Sequence, residues 1–198
     1  MTHSKGSDIA RKVREVEKLY ERLEKPVRVF LHASSMHCPP GCGECCLGKN
    51  ISATPLEFLP LSWHYYREGI LEEKYGEFSD LLPDHCLLYQ AASEQGKGRC
   101  SEYAFRCLVC RLFGNAALTG KDGEKKYSGC KILKDKVVDP EIFGAVVQHR
   151  APVYSDYYYQ LRSIDNDYGA LLLPINRAIM KSMELVYFHT RKRHKRAG

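Results

Sequence analysis

The stretch Cys38-Pro-Pro-Gly-Cys42-Gly-Glu-Cys45-Cys46 packs four of the chain's nine cysteines into one short loop. Buried structural cysteines are usually solitary and surrounded by apolar residues, whereas Gly41, Gly43 and Glu44 are spacers that let a backbone bend around an ion. A second group comprises Cys100, Cys107 and Cys110, with Cys86 upstream and Cys130 downstream. Thiolate is a soft ligand that selects zinc, copper(I) or iron–sulfur clusters, and cysteines repeated at spacings of two or three allow one loop to supply several ligands. Metal binding is therefore the leading chemistry, with Cys38, Cys42, Cys45, Cys46, Cys86, Cys100, Cys110 and Cys130 as candidate ligands. The chain is expected to chelate zinc or an iron–sulfur cluster, a choice the spacing leaves open. His32, His37, His64 and His85 are weaker candidates, since a lone histidine is more often a surface or hydrogen-bonded residue.

The thiol count argues against a disulfide framework. Disulfide-stapled domains are mostly short, secreted and even in cysteine number, while this chain has 198 residues and nine cysteines. A vicinal Cys45–Cys46 disulfide would be strained and rare. The first residues, Met-Thr-His-Ser-Lys-Gly-Ser-Asp, lack the apolar core of a signal peptide, and no apolar run approaches membrane-spanning length. A cytoplasmic, reduced protein is the expectation. Eight thiols would suffice for two four-thiolate sites, and the adjacent Cys45 and Cys46 point in different directions, which suits two centres or a bridged pair of metals better than one mononuclear ion. Arg99, Arg106 and Arg111 lie near the candidate ligands in sequence and could offset their negative charge.

The elements that must position these thiols read as mainly helical, forming one compact domain over residues 1–198. At 44% hydrophobic and 27% charged residues the composition is ordinary for a soluble globular protein, with enough apolar material for a core that does not depend on metal alone. The net charge is +6, and five of those charges come from Arg191, Lys192, Arg193, Lys195 and Arg196. This basic tail, 191–198, reads as a solvated end rather than a nucleic-acid contact.

Ser7-Asp8 can cap a first helix with Ile9, Val13, Val16, Tyr20 and Leu23 on one face, ending at Pro26. Thr54-Pro55-Leu56-Glu57 has the form of a capping box and opens a helix running toward Gly69, with a break expected at Pro60; a short helix between Gly69 and Pro83 follows. Cys86 to Gln90 reads as a strand, and Gln95-Gly-Lys-Gly-Arg99 as the turn of a hairpin that would bring Cys86 beside Cys100. Tyr103 to Phe113 predicts a helix with Cys107 and Cys110 on one face, followed by a glycine- and lysine-rich loop carrying Cys130. The C-terminal helices, 139–190, begin at Asp139-Pro140-Glu141, at Pro152 and at Pro174, the last with Ile175, Ile179, Met183 and Val186 inward. Tyr154, Tyr157, Tyr158 and Tyr159 are expected to pack, with their hydroxyls at the rim. The two cysteine groups should meet in space, because the Cys45–Cys46 adjacency makes tetrahedral ligation within the first loop awkward.

These residues carry a resemblance. The loop ending in Cys45-Cys46, Ile51, the helix start at Thr54 to Glu57, Cys86-Leu-Leu, Gly98-Arg99-Cys100-Ser-Glu-Tyr103 and Cys110-Arg111-Leu-Phe113 resemble the YkgJ-like family, the CxxCxxCC zinc- or iron-chelating domain, over roughly residues 36–131. The combined pattern is far more specific than one CxxC. Two departures stand out: the first gap of the loop has three residues rather than two, and Cys107 follows Arg106 where the family usually has proline. The resemblance implies a metal-chelating fold, with a protein partner as a further candidate. It also implies an alternative, a metal-dependent enzyme with redox activity or one like the flagellin lysine N-methylases among the relatives. No glycine-rich strand-to-helix turn of the kind that cradles a methyl donor is visible. The Cys38-x3-Cys42-x2-Cys45 spacing also matches radical S-adenosylmethionine enzymes, but their repeating strand–helix pattern is missing and Glu44 stands where an aromatic is usual. A thioredoxin-like role for Cys107-Leu-Val-Cys110 lacks its flanking strand–helix–strand pattern.

Overall fold

A computed structural model describes residues 5–39, 41–81, 83–91 and 98–191. The chain is a mainly α domain, with nine α-helices among the described residues and only two-stranded sheets. Helix α1 (Lys5–Ser34) runs along one side, and helix α9 (Ile175–Arg191) forms the other long element of the core. Ile9, Val13, Val16, Leu19, Tyr20 and Leu23 on α1 recur at helical spacing and are buried, as are Ile175, Ile179, Met183 and Val186 on α9. Each such side chain contributes roughly 1.5–3 kcal/mol when fully buried. Helix α2 (Leu59–Arg67) lies between them, and its Ser62 hydroxyl donates to the Ser182 hydroxyl of α9 at 2.9 Å, inside the core. Helix α3 (Leu71–Leu81) covers α9 from outside, where the Tyr75 hydroxyl donates to Glu184 at 3.0 Å.

Pro26 does not end α1, which continues for two further turns. An interior proline costs about 3 kcal/mol, and what offsets it here is Phe30. That residue is fully buried in a small second core with Ala117, Val147 and Ala151, its ring centroid 6.1 Å from that of Tyr127. Asp8 lies within the first turns of α1, ion-paired with Arg11 and Lys12, and does not cap it. Pro60 sits in the first turn of α2, where a missing N–H costs nothing, so no break occurs there.

Strands β1 (Ser52–Ala53), β2 (Tyr89–Ala91) and β3 (Gly98–Cys100) come before the second half of the chain, and β2 pairs antiparallel with β3, Tyr89 opposite Cys100. The segment 86–88 is a turn rather than strand, and the hairpin tip lies outside the described residues. The helix expected over Tyr103 to Phe113 is split into a 3₁₀ turn (Tyr103–Phe105) and helix α4 (Leu108–Leu112), because Arg106 is extended at φ −52°, ψ 134°. Beyond Gly114, the expected loop is instead an antiparallel hairpin of β4 (Ala116–Thr119) and β5 (Lys125–Ser128), turned at Gly123 with φ +82°. Asp122-Gly123 between short β-compatible runs was the signal for it.

Helix α5 (Lys131–Lys134) follows, then α6 (Pro140–Arg150), capped as expected by the Asp139 carboxylate, which accepts from the N–H groups of Glu141 and Ile142. Helix α7 (Tyr154–Ile164) packs Tyr154, Tyr157 and Tyr158 against the core and leaves Tyr159 exposed. Helix α8 (Asn166–Ala170) leads to β6 (Leu173–Pro174), which pairs with β1. Of the basic tail, only Arg191 is described; its guanidinium lies 5.1 Å from the Tyr187 ring centroid. No described helix is long and apolar enough to cross a membrane.

Candidate metal centre

The cysteine loop follows α1 in the chain. Cys38 and Cys45 are exposed, Cys42 is half-buried, and Cys46 is buried, the last two thiols lying in a 3₁₀ turn (Glu44–Leu47). The loop reaches the β2–β3 hairpin at two points. The Cys86 N–H donates to the Cys46 carbonyl at 2.9 Å, so the loop and the segment before β2 are joined through their main chains. Gly43 is buried against Gly98, where an added Cβ would stand 2.6 Å from the Gly98 carbonyl oxygen. A side chain on Gly43 would push the loop off the hairpin.

Cys86 is buried, and Cys100 at the end of β3 is half-buried. Burial raises both thiols, Cys86 up to about 12, and in each case the main-chain N–H two residues on opposes the shift: Leu88 for Cys86 and Glu102 for Cys100. Amides aimed in this way at sulfur stabilise thiolate, as a metal–thiolate turn requires. Main-chain amides act in the same way on Cys45 in the first loop.

Cys110 on α4 is half-buried and lies within electrostatic reach of Cys46, Cys86 and Cys100. Cys130 is the N-terminal flanking residue of α5, and its charge, with those of Cys42 and Cys45, acts on Cys38. Four segments far apart in the chain are therefore gathered into one thiol-rich region. A side-chain hydrogen bond from Cys46 brings the Cys45 thiol down while driving Cys46 up. Among the described residues, no three His, Cys, Asp or Glu side chains converge as they stand into a group able to hold an ion.

The donor set nonetheless suits a soft metal, and Arg106 points the same way. Its Nε is buried without a hydrogen-bond partner, its guanidinium lies 3.9 Å from the Tyr103 ring centroid, and its charge favours thiolate at Cys38, Cys45 and Cys100. A buried unpaired donor is costly, and a metal-bound thiolate is an acceptor that would satisfy it. Arg111 is already committed, donating to the Arg106 and Ala104 carbonyls and stacking over Tyr20, while Arg99 is exposed. The histidines lie elsewhere in role: His32 and His37 are exposed, His64 stacks on Phe105 with centroids 4.5 Å apart, and His85 meets the edge of Tyr89.

Cys107 is buried, its sulfur 3.4 Å from that of Cys110, and burial raises its thiol well above the ordinary range. Its φ of −70° and the extended Arg106 before it are the geometry of an X-Pro step. Cys107→Pro is therefore expected to fold and keep its full metal content. Loss of metal, measured by elemental analysis of the purified variant, would make Cys107 a ligand.

Two positioning residues escaped the sequence reading. Asn176, in the first turn of α9, donates to the carbonyls of Pro83 and His85 at 3.0 and 2.8 Å and accepts from Leu87 N–H at 2.9 Å, bracketing Cys86 on both sides. Glu57, read only as half of a capping box, accepts from Thr54 N–H at 2.7 Å and also from Val109 N–H at 2.9 Å. It thus anchors the first turn of the helix that carries Cys110. A local motif can announce the first of these bonds but not the second, which spans a long stretch of chain.

The thiol-rich region and the helical frame define a cysteine-rich, mainly α domain. A family model described as "CxxCxxCC: Putative zinc- or iron-chelating domain" matches residues 37–137, just over half of the chain, and the chain belongs to that family. No curated protein and no solved structure matches it.

Proposed function

We propose that the protein is a thiolate metal-binding module in which Cys38, Cys42, Cys45, Cys46, Cys86, Cys100, Cys110 and Cys130 supply the ligands to zinc or to iron–sulfur clusters. The observation that carries this reading is the gathering of thiols from four distant segments, with the Leu88 and Glu102 amides aimed at two of them. A bound metal would supply cross-links between these segments and, as a cluster, electron-transfer capacity. The chain's own residues do the rest: Arg106 offsets thiolate charge, Asn176 and Glu57 fix the inner segments, and the helical core holds the frame. Long loops closed in this way restrict the unfolded chain more than short ones, which gives the ligation a structural purpose.

The electron-carrying and structural versions share these ligands and differ in metal. Anaerobically purified protein separates them, since broad absorption near roughly 400 nm belongs to a cluster and is absent for zinc. Replacing Cys42 and Cys45 together by serine is expected to lower metal content and thermal stability in step, because binding energy in such sites is partly folding energy. Unchanged metal stoichiometry in that double variant would remove both residues from the ligand set.

A further inference from the structure

Cys107 and Cys110 meet across the first turn of α4, their sulfurs 3.4 Å apart. Their spacing in the sequence brings this about. Cys107 is the N-cap residue of the helix and Cys110 its third residue, the two positions that a capping side chain normally bridges. By helix geometry the Cα atoms of such a pair lie about 5 Å apart, inside the roughly 4.4–6.8 Å that a disulfide spans. The two thiols can therefore be joined without moving the backbone.

The turn that carries them is fixed by bonds on both sides. Glu57 accepts from the Val109 N–H at 2.9 Å, between the two cysteines in the chain, the Arg111 N–H donates to the Cys107 carbonyl at 3.1 Å, and Arg111 Nε donates to the Arg106 carbonyl at 2.8 Å. Groups held in this way encounter each other far more often than the same groups on a loose segment. Access to them is unequal, since Cys107 is buried and Cys110 half-buried. A reagent arriving from solvent meets Cys110 first, and Cys107 stands behind it as a shielded second thiol.

We propose that Cys107 and Cys110 are a dithiol site that reduces low-molecular-weight disulfides and is itself closed to a Cys107–Cys110 disulfide. Cys110, as thiolate, attacks one sulfur of the small disulfide; that S–S bond breaks, one small thiolate leaves with the electron pair, and a mixed disulfide remains on Cys110. Cys107 then gives up its proton and attacks the Cys110 sulfur, and the second small thiolate leaves. The two cysteine sulfurs lose two electrons between them, the small disulfide gains them, and the two protons end on the two small thiols released. Closure also withdraws Cys110 from metal binding. This second consequence rests on the ligand role proposed for Cys110, whereas the exchange does not.

The test uses wild-type protein purified anaerobically, and the same protein stripped of metal by a chelator. Each is incubated with glutathione disulfide, quenched with acid, alkylated and digested with trypsin. Cleavage after Arg106 and Arg111 releases both cysteines in the single peptide Cys107–Arg111. From wild type this peptide is expected unalkylated, free of glutathione and two hydrogens lighter than its dithiol form. In Cys107→Ser no second thiol resolves the adduct, so Cys110 should keep one glutathione per chain; Cys107→Ala gives the same readout if the serine variant fails to fold. Glutathione persisting on Cys110 in wild type, Cys110 joined to a cysteine outside this peptide, or a pair left reduced in the metal-free protein overturns the dithiol site. Metal released on closure, followed with a chromogenic chelator, supports the ligand role of Cys110. Full retention of metal after complete closure overturns that role and leaves the dithiol site standing.

Discussion

Glu57→Ala should lower the unfolding free energy by about 2–4 kcal/mol and reduce metal content at the same time. The carboxylate is fully buried and accepts main-chain N–H groups from Thr54 and from Val109, so its removal leaves two donors without partners in a place water does not reach. Each orphaned donor costs about 1–3 kcal/mol. The second consequence comes from Val109, which belongs to the first turn of α4: once released, that turn no longer holds Cys110 toward the hairpin. Denaturant unfolding together with elemental analysis checks both effects. A change below about 1 kcal/mol with full metal content would mean that α4 is held by its apolar contacts alone.

The same residue carries a pH signature. Burial pushes the Glu57 carboxyl up to about 6 from an ordinary 4.5, against the pull of the two amides. With the folded value above the unfolded one, its stabilising contribution is complete below pH 4.5 and is lost as pH rises through about 6. The loss amounts to about 2 kcal/mol. In Glu57→Gln this component disappears, so the difference in stability between wild type and variant should shrink from acid to neutral pH. Taking the difference cancels titrations that the two proteins share.

Gly43→Ala is expected to cost about 1–3 kcal/mol and to strip metal from the thiols nearest the hairpin. Its new Cβ would lie 2.6 Å from the Gly98 carbonyl oxygen and 2.7 Å from the Tyr89 ring. The tyrosine could turn away, but the carbonyl is main chain and moves only with β3, which carries Cys100. Gly48→Ala is the control, since its Cβ would meet nothing closer than 3.3 Å, chiefly the flexible Ile51 side chain. Equal metal content in the two variants would show that the loop has room to lift from the hairpin without losing its ligands.

The helical frame was legible wherever a local signal decided the outcome. Asp139 before Pro140 and Pro174 before α9 were readable because capping and proline act over three or four residues. The end of α1 was not, because Pro26 is opposed by Phe30 meeting Tyr127 and Phe143, partners more than ninety residues away. Strand pairing of β1 with β6 was hidden for the same reason, each strand being too short to show a period of its own. At the candidate metal centre, residue type and spacing marked the thiols, and the expected hairpin formed with Tyr89 rather than Cys86 opposite Cys100. What spacing could not supply was the orientation of each thiol or the supporting bonds from Glu57 and Asn176, which depend on the finished tertiary packing.

The Asn176 clamp sets an order of events during synthesis. A ribosome that has just released Cys130 has already emitted all nine thiols. The segment bearing Cys86 nevertheless still lacks its two carbonyl anchors and its amide anchor, because the asparagine that supplies them lies forty-six residues further along. Translation at roughly 5–20 residues per second leaves several seconds in which reactive, unplaced sulfurs are exposed to oxidants and to foreign metals. The segment around Cys86 is thus fixed late, only once α9 docks with Asn176 in its first turn.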